Sequence, residues 1–392
     1  MLILLIIIFV SYISMGLPDA LLGSAWPSMY GSLGTSEANA GIVQMIMMGS
    51  VIFACLNSDR AVKKFGAGYV ALVSVVVTGS SLCGVSFAGS FAMLCLLMIP
   101  LGLGGGSLDS TMTNFVALHY EARHMNWLHC FWGVGASIGP IIMSYCLRRW
   151  DSWHAAYRTV GAIQLAFAVV LLFSLSLWGR ARTGNEGEKN DEQKMLGVKE
   201  FLKMPGAKPT IAAFFFYCGI ESVTGLWSGT YFVLVRNIPL DTAARWVSLF
   251  YTGITLSRFL SGFLTIKLSQ DRIVGLGHIL IAAGLCWMVV FKSGASLMLG
   301  LFLIGLGCGP IFPSMMHQTP QNFGREHSQS IVGKQMACAY IGSMLVPPLF
   351  GFLGARVGYG IFPFFLTVFL LVIVVMSRLI SRSKSGLKYK TA

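Results

Sequence analysis

Residues 2–29 read LILLIIIFVSYISMGLPDALLGSAWPSM, and this stretch decides the class of protein. It exceeds the roughly 18 apolar residues that mark a membrane-spanning helix, and no lysine or arginine precedes Arg60. One acidic residue, Asp19, lies inside it, directly after Pro18. An ionised carboxylate facing lipid costs at least about 2.5 kcal/mol. We therefore expect Asp19 to face a cavity or a partner group inside the protein.

The composition of the whole chain supports the same interpretation. Of its 392 residues, 55% are hydrophobic and only 11% are charged, and the mean hydropathy is +0.72. A soluble domain typically carries about 25% charged residues, so the sequence indicates a multi-pass membrane protein. A cleaved signal peptide is disfavoured, because no basic segment precedes the first apolar run and that run is too long.

Breaks in hydropathy and charge divide the chain into twelve predicted spans. Their limits are 2–29, 39–57, 67–87, 91–118, 126–147, 155–179, 209–235, 245–268, 273–291, 295–319, 328–353 and 358–377. We predict an all-α membrane protein with an N-terminal six-helix bundle at 1–179 and a C-terminal six-helix bundle at 209–380. Between them lies a polar central loop, 180–208, with a short amphipathic helix near VKEFLKM, and a polar tail follows at 381–392.

Lysine and arginine predict the orientation, since they accumulate in cytoplasmic loops. The loop between spans 2 and 3, the central loop and the C-terminal tail hold most of the 28 basic residues. Both termini are therefore predicted to be cytoplasmic, in a plasma membrane of the bacterial inner-membrane type. The net charge of +13 is a consequence of this topology and gives no reason to infer nucleic-acid binding.

The cysteine and glycine patterns do not indicate an enzyme or a metal site. The nine cysteines form no CxxC pair and no metal-ligand spacing, so packing explains them. GLGGGS at 102–107 imitates a nucleotide-binding loop, but no strand precedes it, and close helix packing explains it better. We predict no catalytic activity, no resident metal and no cofactor.

The two halves of the chain repeat each other at an offset near 202 residues. DALLG at 19–23 in span 1 matches ESVTG at 221–225 in span 7, and GLGGG at 102–106 matches GLGCG at 305–309. Parallel repeats of six helices are one transporter architecture, with the binding site between the halves near the midplane of the membrane.

The twelve spans, the central loop and the repeat resemble the major facilitator superfamily. SDRAVKKFG at 58–66 is loosely similar to the basic signature of that family. Three longer stretches resemble its fucose:proton symporter branch: GLPDALLGSAWP (16–27), SLDSTMTNFV (107–116) and YCGIESVTGLWSGTYFV (217–233). The resemblance implies two six-helix bundles related by a pseudo-two-fold axis, around a central substrate site. The chain departs from the branch at Asp109, where the branch has glutamate.

Three acids lie within predicted spans: Asp19 in span 1, Asp109 in span 4 and Glu221 in span 7. The resemblance implies that these spans line one central cavity. Intramembrane acids are functional candidates by default, and an apolar environment disfavours the charged form of a carboxyl, which suits a proton carrier. We predict that all three take part in proton coupling, Asp19 and Asp109 foremost, while Glu221 alternatively binds substrate or locks the halves together. A structural carboxylate remains the alternative for Asp19.

Pro18 predicts a kink beside Asp19. Proline removes a helical hydrogen bond, which leaves the carbonyl near Ser14 without its usual partner. Asp19, Gly23 and Trp26 share one helix face.

Polar and aromatic side chains at membrane depth are candidate ligands, because a hydroxylated substrate favours amide and carboxylate partners beside aromatic faces. The predicted substrate-binding residues are Trp26, Gln44, Asn114, Asn126, His129, Trp132, Tyr217, Trp227, Tyr231, Tyr251, His317 and Gln318. The predicted gating residues are Arg60, Lys63, Lys64, Arg258, Lys267 and Lys334. Helix–helix hydrogen bonding is the alternative explanation for each polar residue among them.

The sequence thus predicts a monomeric, proton-coupled symporter of a small hydroxylated solute, a monosaccharide, that works by alternating access. One alternative is a drug or metabolite efflux antiporter. Its support is GASIGP at 135–140, which resembles part of an antiporter motif, together with 20 methionines and 27 phenylalanines. A membrane enzyme or a non-transporting sensor is a further alternative, but the sequence has no nucleophile motif or appended soluble domain to support it.

Overall fold

The computed structural model describes residues 2–120, 122–182, 197–291, 294–324 and 328–388, and the regular structure in these ranges is helical. The first half contains α1 (Leu2–Asp19), α2 (Leu21–Ser32), α3 (Ala40–Phe65), α4 (Ala67–Val85), α5 (Phe91–His119), α6 (Ala122–Trp150) and α7 (Trp153–Arg182). The remainder contains α8 (Val198–Phe201), α9 (Ala207–Arg236), α10 (Leu240–Leu264), α11 (Gln270–Val290), α12 (Gly294–His317), α13 (Thr319–Phe323), α14 (Ser328–Val357) and α15 (Phe362–Lys388). In the described part of the chain, twelve helical segments are long and apolar enough to cross a membrane, as predicted.

The first span is broken at the position where the sequence predicts a kink. Helix α1 ends at Asp19, and α2 begins at Leu21. Pro18 has no backbone N–H to donate to the carbonyl of Ser14, and the Nε2 atom of Gln164 in α7 donates to that carbonyl at 2.7 Å instead. The break is therefore stabilised by a neighbouring helix, and it leaves Asp19 at a helix end in the middle of the span.

The packing of the helices repeats between the two halves. Helix α1 packs on α6 as α9 packs on α14, and α3 packs on α5 as α10 packs on α12. Helix α4 packs on α7 as α11 packs on α15. Between the halves, α3 meets α14 and α6 meets α10, which are again equivalent pairs. These paired contacts form the two six-helix bundles that the internal sequence repeat predicts.

Both described chain ends lie on one side of the bundle, here called the terminal face, because twelve spans return the chain to its starting side. The halves approach each other most closely toward the opposite side, here called the distal face. A Cβ atom on Gly23 in α2 would overlap the carbonyl oxygen of Gly225 in α9, and one on Gly41 would overlap Pro348 in α14. Gly23 and Gly225 are also equivalent positions of the repeat, so the bundles meet along their symmetric seam.

We expect Gly23→Leu to destabilise this arrangement, because a side chain at this position must push α2 away from the backbone of α9. Overpacking of a tight contact typically costs about 1–3 kcal/mol. Thermal melting of purified protein in detergent measures the effect, with a melting temperature lowered by several degrees. Gly31→Leu is the matched control, since nothing lies within 4 Å of a Cβ atom on Gly31 in the same helix. Equal melting temperatures for both variants would show that the seam is not tightly packed.

Several helices extend past the predicted spans on the terminal face. Helix α3 continues to Phe65 rather than 57, and α15 continues to Lys388 rather than 377. Hydropathy marks where a helix leaves the apolar layer, whereas the helix itself continues while its backbone hydrogen bonds are satisfied. Within the central loop, the predicted short helix is present as α8, and its Phe201 packs edge-on against Phe323 of α13 at 5.4 Å.

Candidate functional site

A cavity of about 290 Å³ lies between the two halves. Helices α1, α3, α5 and α6 contribute to its wall from the first half, and α9, α10, α12 and α14 contribute from the second. All three acids singled out in the sequence, Asp19, Asp109 and Glu221, line this cavity. The tertiary structure therefore brings together carboxyl groups that are up to 202 positions apart in the chain.

Asp19 presents its carboxylate to the cavity. The residue is exposed although it lies in the middle of the first span, because the break between α1 and α2 opens onto the cavity. Its Oδ2 atom accepts a hydrogen bond from the indole Nε1 of Trp132 in α6 at 2.7 Å. A carboxylate in this setting avoids contact with lipid and remains reachable by solvent in the cavity.

Asp109 lies in a cluster of hydroxyl donors. The hydroxyl of Tyr12 in α1 donates to Oδ1 at 2.7 Å, and the hydroxyl of Tyr340 in α14 donates to Oδ2 at 3.3 Å. Thr113, one helical turn further along α5, lies 2.7 Å from the Tyr12 hydroxyl. Because Tyr340 belongs to the second half, Asp109 connects the two bundles inside the cavity.

Glu221 forms an ion pair with Arg258. The Oε1 atom of Glu221 lies 3.5 Å from Nη2 of Arg258, and both side chains are mostly buried. The Nε of Arg258 also donates to the carbonyl of Gly309 at 3.4 Å. The guanidinium stands over the ring of Trp132, with 5.3 Å from Cζ to the ring centroid. Arg258 was predicted as a gating residue near a loop, and the structure places it on the cavity wall beside a carboxylate.

Four of the predicted substrate-binding residues line the cavity: Gln44, His129, Trp132 and Tyr251. The ring of His129 meets the ring of Tyr12 edge-on at 6.0 Å, and Tyr251 meets Trp132 edge-on at 6.2 Å. Amide, imidazole and aromatic faces thus surround the three carboxyl groups. Their role in substrate binding stays a prediction.

Four other predicted aromatic ligands do not line the cavity, because each is buried in helix packing. The indole N–H of Trp26 donates to the carbonyl of Glu37 at 2.7 Å, and that of Trp227 donates to the carbonyl of Pro347 at 3.0 Å. The two remaining residues are also held by hydrogen bonds: the hydroxyl of Tyr217 donates to Cys308 O at 2.8 Å, and that of Tyr231 accepts from Arg236 Nε at 2.8 Å. Here the structure differs from the prediction, because the N–H and hydroxyl groups of these aromatic side chains form hydrogen bonds within the protein and do not face a ligand.

The remaining predicted ligands also lie away from the cavity or outside the description. Asn114 and His317 are exposed on other faces of their helices, and neither lines the cavity. The Nε2 of Gln318 donates to Asp271 at 3.0 Å, toward the terminal face. Asn126 belongs to α6, but its side chain lies outside the described residues.

The other predicted gating residues cluster toward the terminal face. Arg60, Lys63 and Lys64 are exposed in the last turns of α3, and Lys267 is exposed just after α10. Lys334 lies in the second turn of α14 and is half-buried. None of them lines the described cavity, so any gating role acts at the end of the bundle rather than at the acids.

Sequence reasoning missed the tyrosines that hold Asp109. Nothing in the sequence around Tyr340 distinguishes it from other tyrosines in the spans. Tyr12 could have been singled out, because it lies seven residues, or two helical turns, before Asp19 and so on the same helix face. Ser222 and Ser343, which also line the cavity, were likewise not singled out. Their contribution depends on which helices meet, and single-sequence periodicity does not specify this.

The arrangement concentrates negative charge in one cavity between the two halves. Three carboxyl groups share the cavity wall with one guanidinium, so their full ionisation leaves an excess of negative charge at low dielectric. Such an excess is relieved by binding a proton or another cation. Hydroxyl and amide groups around the carboxyls additionally suit hydrogen bonding to a polar solute.

A family model described as Major Facilitator Superfamily matches residues 4–244 and 237–392, which together span almost the whole chain. A putative glucose/galactose transporter of Helicobacter pylori is 22% identical over 80% of this chain and 79% of its own length. The cis,cis-muconate transport protein of Acinetobacter baylyi is 20% identical over 87% of this chain and 85% of its own. A crystal structure of the nucleoside transporter NupG superposes with a TM-score of 0.77 at 12% identity, covering 96% of this chain and 98% of that one, and shows the shared fold.

Proposed function

This chain belongs to the Major Facilitator Superfamily, and from this premise we propose that it is a proton-coupled symporter of a monosaccharide. As a member of this family it is a multi-pass integral membrane transporter and not an enzyme. The proposal adds the coupling ion, the direction of transport and the class of solute.

The observation that carries the proposal is the position of Asp19. Its carboxylate is exposed to the cavity at the break between α1 and α2, although the surrounding span is apolar. A carboxyl group in such a place binds and releases a proton with a large change in local charge. That change is what a proton-driven transporter needs in order to alter the contact between its halves.

The proposed class of solute is supported by the cavity wall and by one relative. The wall combines the amide of Gln44, the imidazole of His129 and the aromatic faces of Trp132 and Tyr251, which suit a hydroxylated ring. The relative from Helicobacter pylori is named a putative glucose/galactose transporter.

The transport cycle proposed here is alternating access. A proton and the solute enter the cavity from the distal side, and neutralisation of Asp19 or Asp109 removes a charge that resists closure. The close seam at Gly23 and Gly225 supports a distal side that is closed in the present conformation. Release toward the terminal face and loss of the proton then reset the protein.

The experiment that tests the proposal measures pH outside de-energised cells that produce the protein. Adding a transported sugar should make the weakly buffered medium more alkaline, because protons enter with the sugar. A panel of monosaccharides identifies the substrate, and a protonophore abolishes the signal. If no sugar in the panel moves protons or accumulates in proteoliposomes, the proposal is wrong.

A proton-coupled efflux antiporter is the second candidate, and one observation favours it. Met15, Met47, Met48, Met336 and Phe312 line the same cavity, and flexible methionines adapt to varied apolar ligands. The same assay separates the candidates, since an amphipathic cation entering by exchange would release protons and acidify the medium.

A further inference from the structure

Four side chains form a continuous line across the cavity from the first half to the second. Asp19 Oδ2 accepts from Nε1 of Trp132 at 2.7 Å. The Trp132 ring lies under the Arg258 guanidinium at 5.3 Å, and Arg258 pairs with Glu221 at 3.5 Å. Asp19 and Trp132 belong to the first half, whereas Arg258 and Glu221 belong to the second. The contact between the indole ring and the guanidinium is therefore where this line crosses between the bundles.

We propose that Trp132 transmits the protonation state of Asp19 to Arg258, and so acts as a positioning residue that couples proton binding to the contact between the halves. The proposal rests on the proposed function in taking Asp19 as a proton carrier. It adds a second role to the sequence-based prediction that Trp132 supplies an aromatic face for substrate.

The physical reason is that one ring makes both contacts. A hydrogen bond to an ionised carboxylate is roughly twice as strong as one between neutral groups, so ionised Asp19 holds the indole in its present orientation. Arginine over a tryptophan face within about 6 Å is attracted to the negative face of the ring, and this attraction depends on the ring angle. Protonation of Asp19 weakens the first contact, which frees the ring to turn and so weakens the second.

The backbone of Trp132 cannot take up this movement. A Cβ atom on Gly16 in α1 would overlap the carbonyl oxygen of Trp132, so α1 and α6 touch there. The response is therefore confined to rotation of the side chain, which Tyr251 contacts edge-on at 6.2 Å from the second half. A turning ring changes its contacts to both Arg258 and Tyr251, and both belong to α10.

Other ionisable groups face the same cavity and set the background for any pH response. The charged or titratable side chains besides Asp19 are Asp109 on α5, His129 on α6, Cys218 and Glu221 on α9, and Arg258 on α10. Tyrosine hydroxyls come from Tyr12, Tyr251 and Tyr340. The test must therefore identify the signal that depends on Asp19 in particular.

The first test needs no substrate. Tryptophan emission of the purified, substrate-free protein is titrated with pH in the wild type, Trp132→Phe and Asp19→Asn. We expect the difference between wild type and Trp132→Phe to vary with pH, and the wild-type pH response to lose this component in Asp19→Asn. Trp227→Phe is the matched control, because it also removes an indole hydrogen bond, to the carbonyl of Pro347 at 3.0 Å. Its ring neighbours are Phe350 and Tyr359, so we expect this variant to leave the pH response unchanged. A difference signal that is flat, or that survives in Asp19→Asn, overturns the proposal.

The second test separates coupling from structure in proteoliposomes. Phenylalanine keeps an aromatic face for Arg258 but has no N–H for Asp19, so the ionised carboxylate loses a donor. We expect Trp132→Phe to retain exchange of substrate between equal pools while the pH for half-maximal accumulation moves upward. An equal loss of exchange and accumulation at every pH would show a merely structural role and overturn the proposal. If the wild type transports no sugar but the emission signal behaves as expected, the proposed substrate is wrong and the coupling by Trp132 stands.

Discussion

Asp19→Asn is expected to exchange substrate across the membrane but not to concentrate it. Asparagine has the same shape and still offers an oxygen to the indole N–H of Trp132, yet it cannot bind a proton. One proton crossing about 100 mV carries about 2.3 kcal/mol, which is enough to concentrate a neutral solute roughly 50-fold. The variant should lose this accumulation and equilibrate the solute to equal concentrations, with an exchange rate that has lost the part of its pH dependence due to Asp19.

Uptake and exchange of the same labelled sugar in proteoliposomes, with an imposed pH gradient and membrane potential, measure this effect. Asp151→Asn is the matched control, because Asp151 is exposed between α6 and α7 and its φ of 47° is one that asparagine also tolerates. The control should accumulate sugar as the wild type does. Accumulation by Asp19→Asn at the wild-type level would remove Asp19 from the coupling mechanism.

Arg258→Gln is expected to destabilise the protein and to stop transport. The substitution leaves Glu221 without its cation on a cavity wall where both side chains are mostly buried. Removing one partner of a buried pair typically costs about 3–5 kcal/mol, and the 3.5 Å separation and the solvent in the cavity reduce our expectation to about 2 kcal/mol. The melting temperature of the purified protein should fall by several degrees.

The double variant Arg258→Gln with Glu221→Gln tests the cause of this loss. It removes the unpaired charge, so we expect most of the melting temperature to return. Transport should not return, because the contact between Arg258 and Trp132 is still absent. Arg356→Gln is the control for arginine removal, since Arg356 is exposed at the end of α14. A double variant as unstable as Arg258→Gln would show that Arg258 stabilises the fold through other contacts.

Much of the fold could be predicted because its causes are local in sequence. The transfer of an apolar segment into lipid depends on about 20 consecutive residues, so hydropathy alone located all twelve spans. The missing N–H of Pro18 acts within one helical turn, so the break before Leu21 was also predictable. Helix ends on the terminal face were less accurate, because nothing in hydropathy marks where a helix stops after it leaves the apolar layer.

The sequence predicted the acidic residues of the candidate site but not the residues that surround them. A carboxyl group within an apolar span must face inward, and this requirement singled out Asp19, Asp109 and Glu221 before any tertiary structure. An aromatic residue need not face the cavity, since its side chain is as stable in the contact between two helices as it is on the cavity wall. Trp26 and Trp227 accordingly lie in seams, with their N–H groups on backbone carbonyls, although Trp26 was predicted to share a helix face with Asp19.

The amino-acid sequence by itself determined the membrane class, the number of spans, the repeat and the identity of the buried acids, because each follows from solvation or from order along the chain. Only the tertiary structure decided which groups hold those acids: Trp132 at Asp19, Tyr12 and Tyr340 at Asp109, and Arg258 at Glu221. The reason is that helical periodicity fixes which face a side chain occupies. It does not fix which of eleven other spans packs against that face.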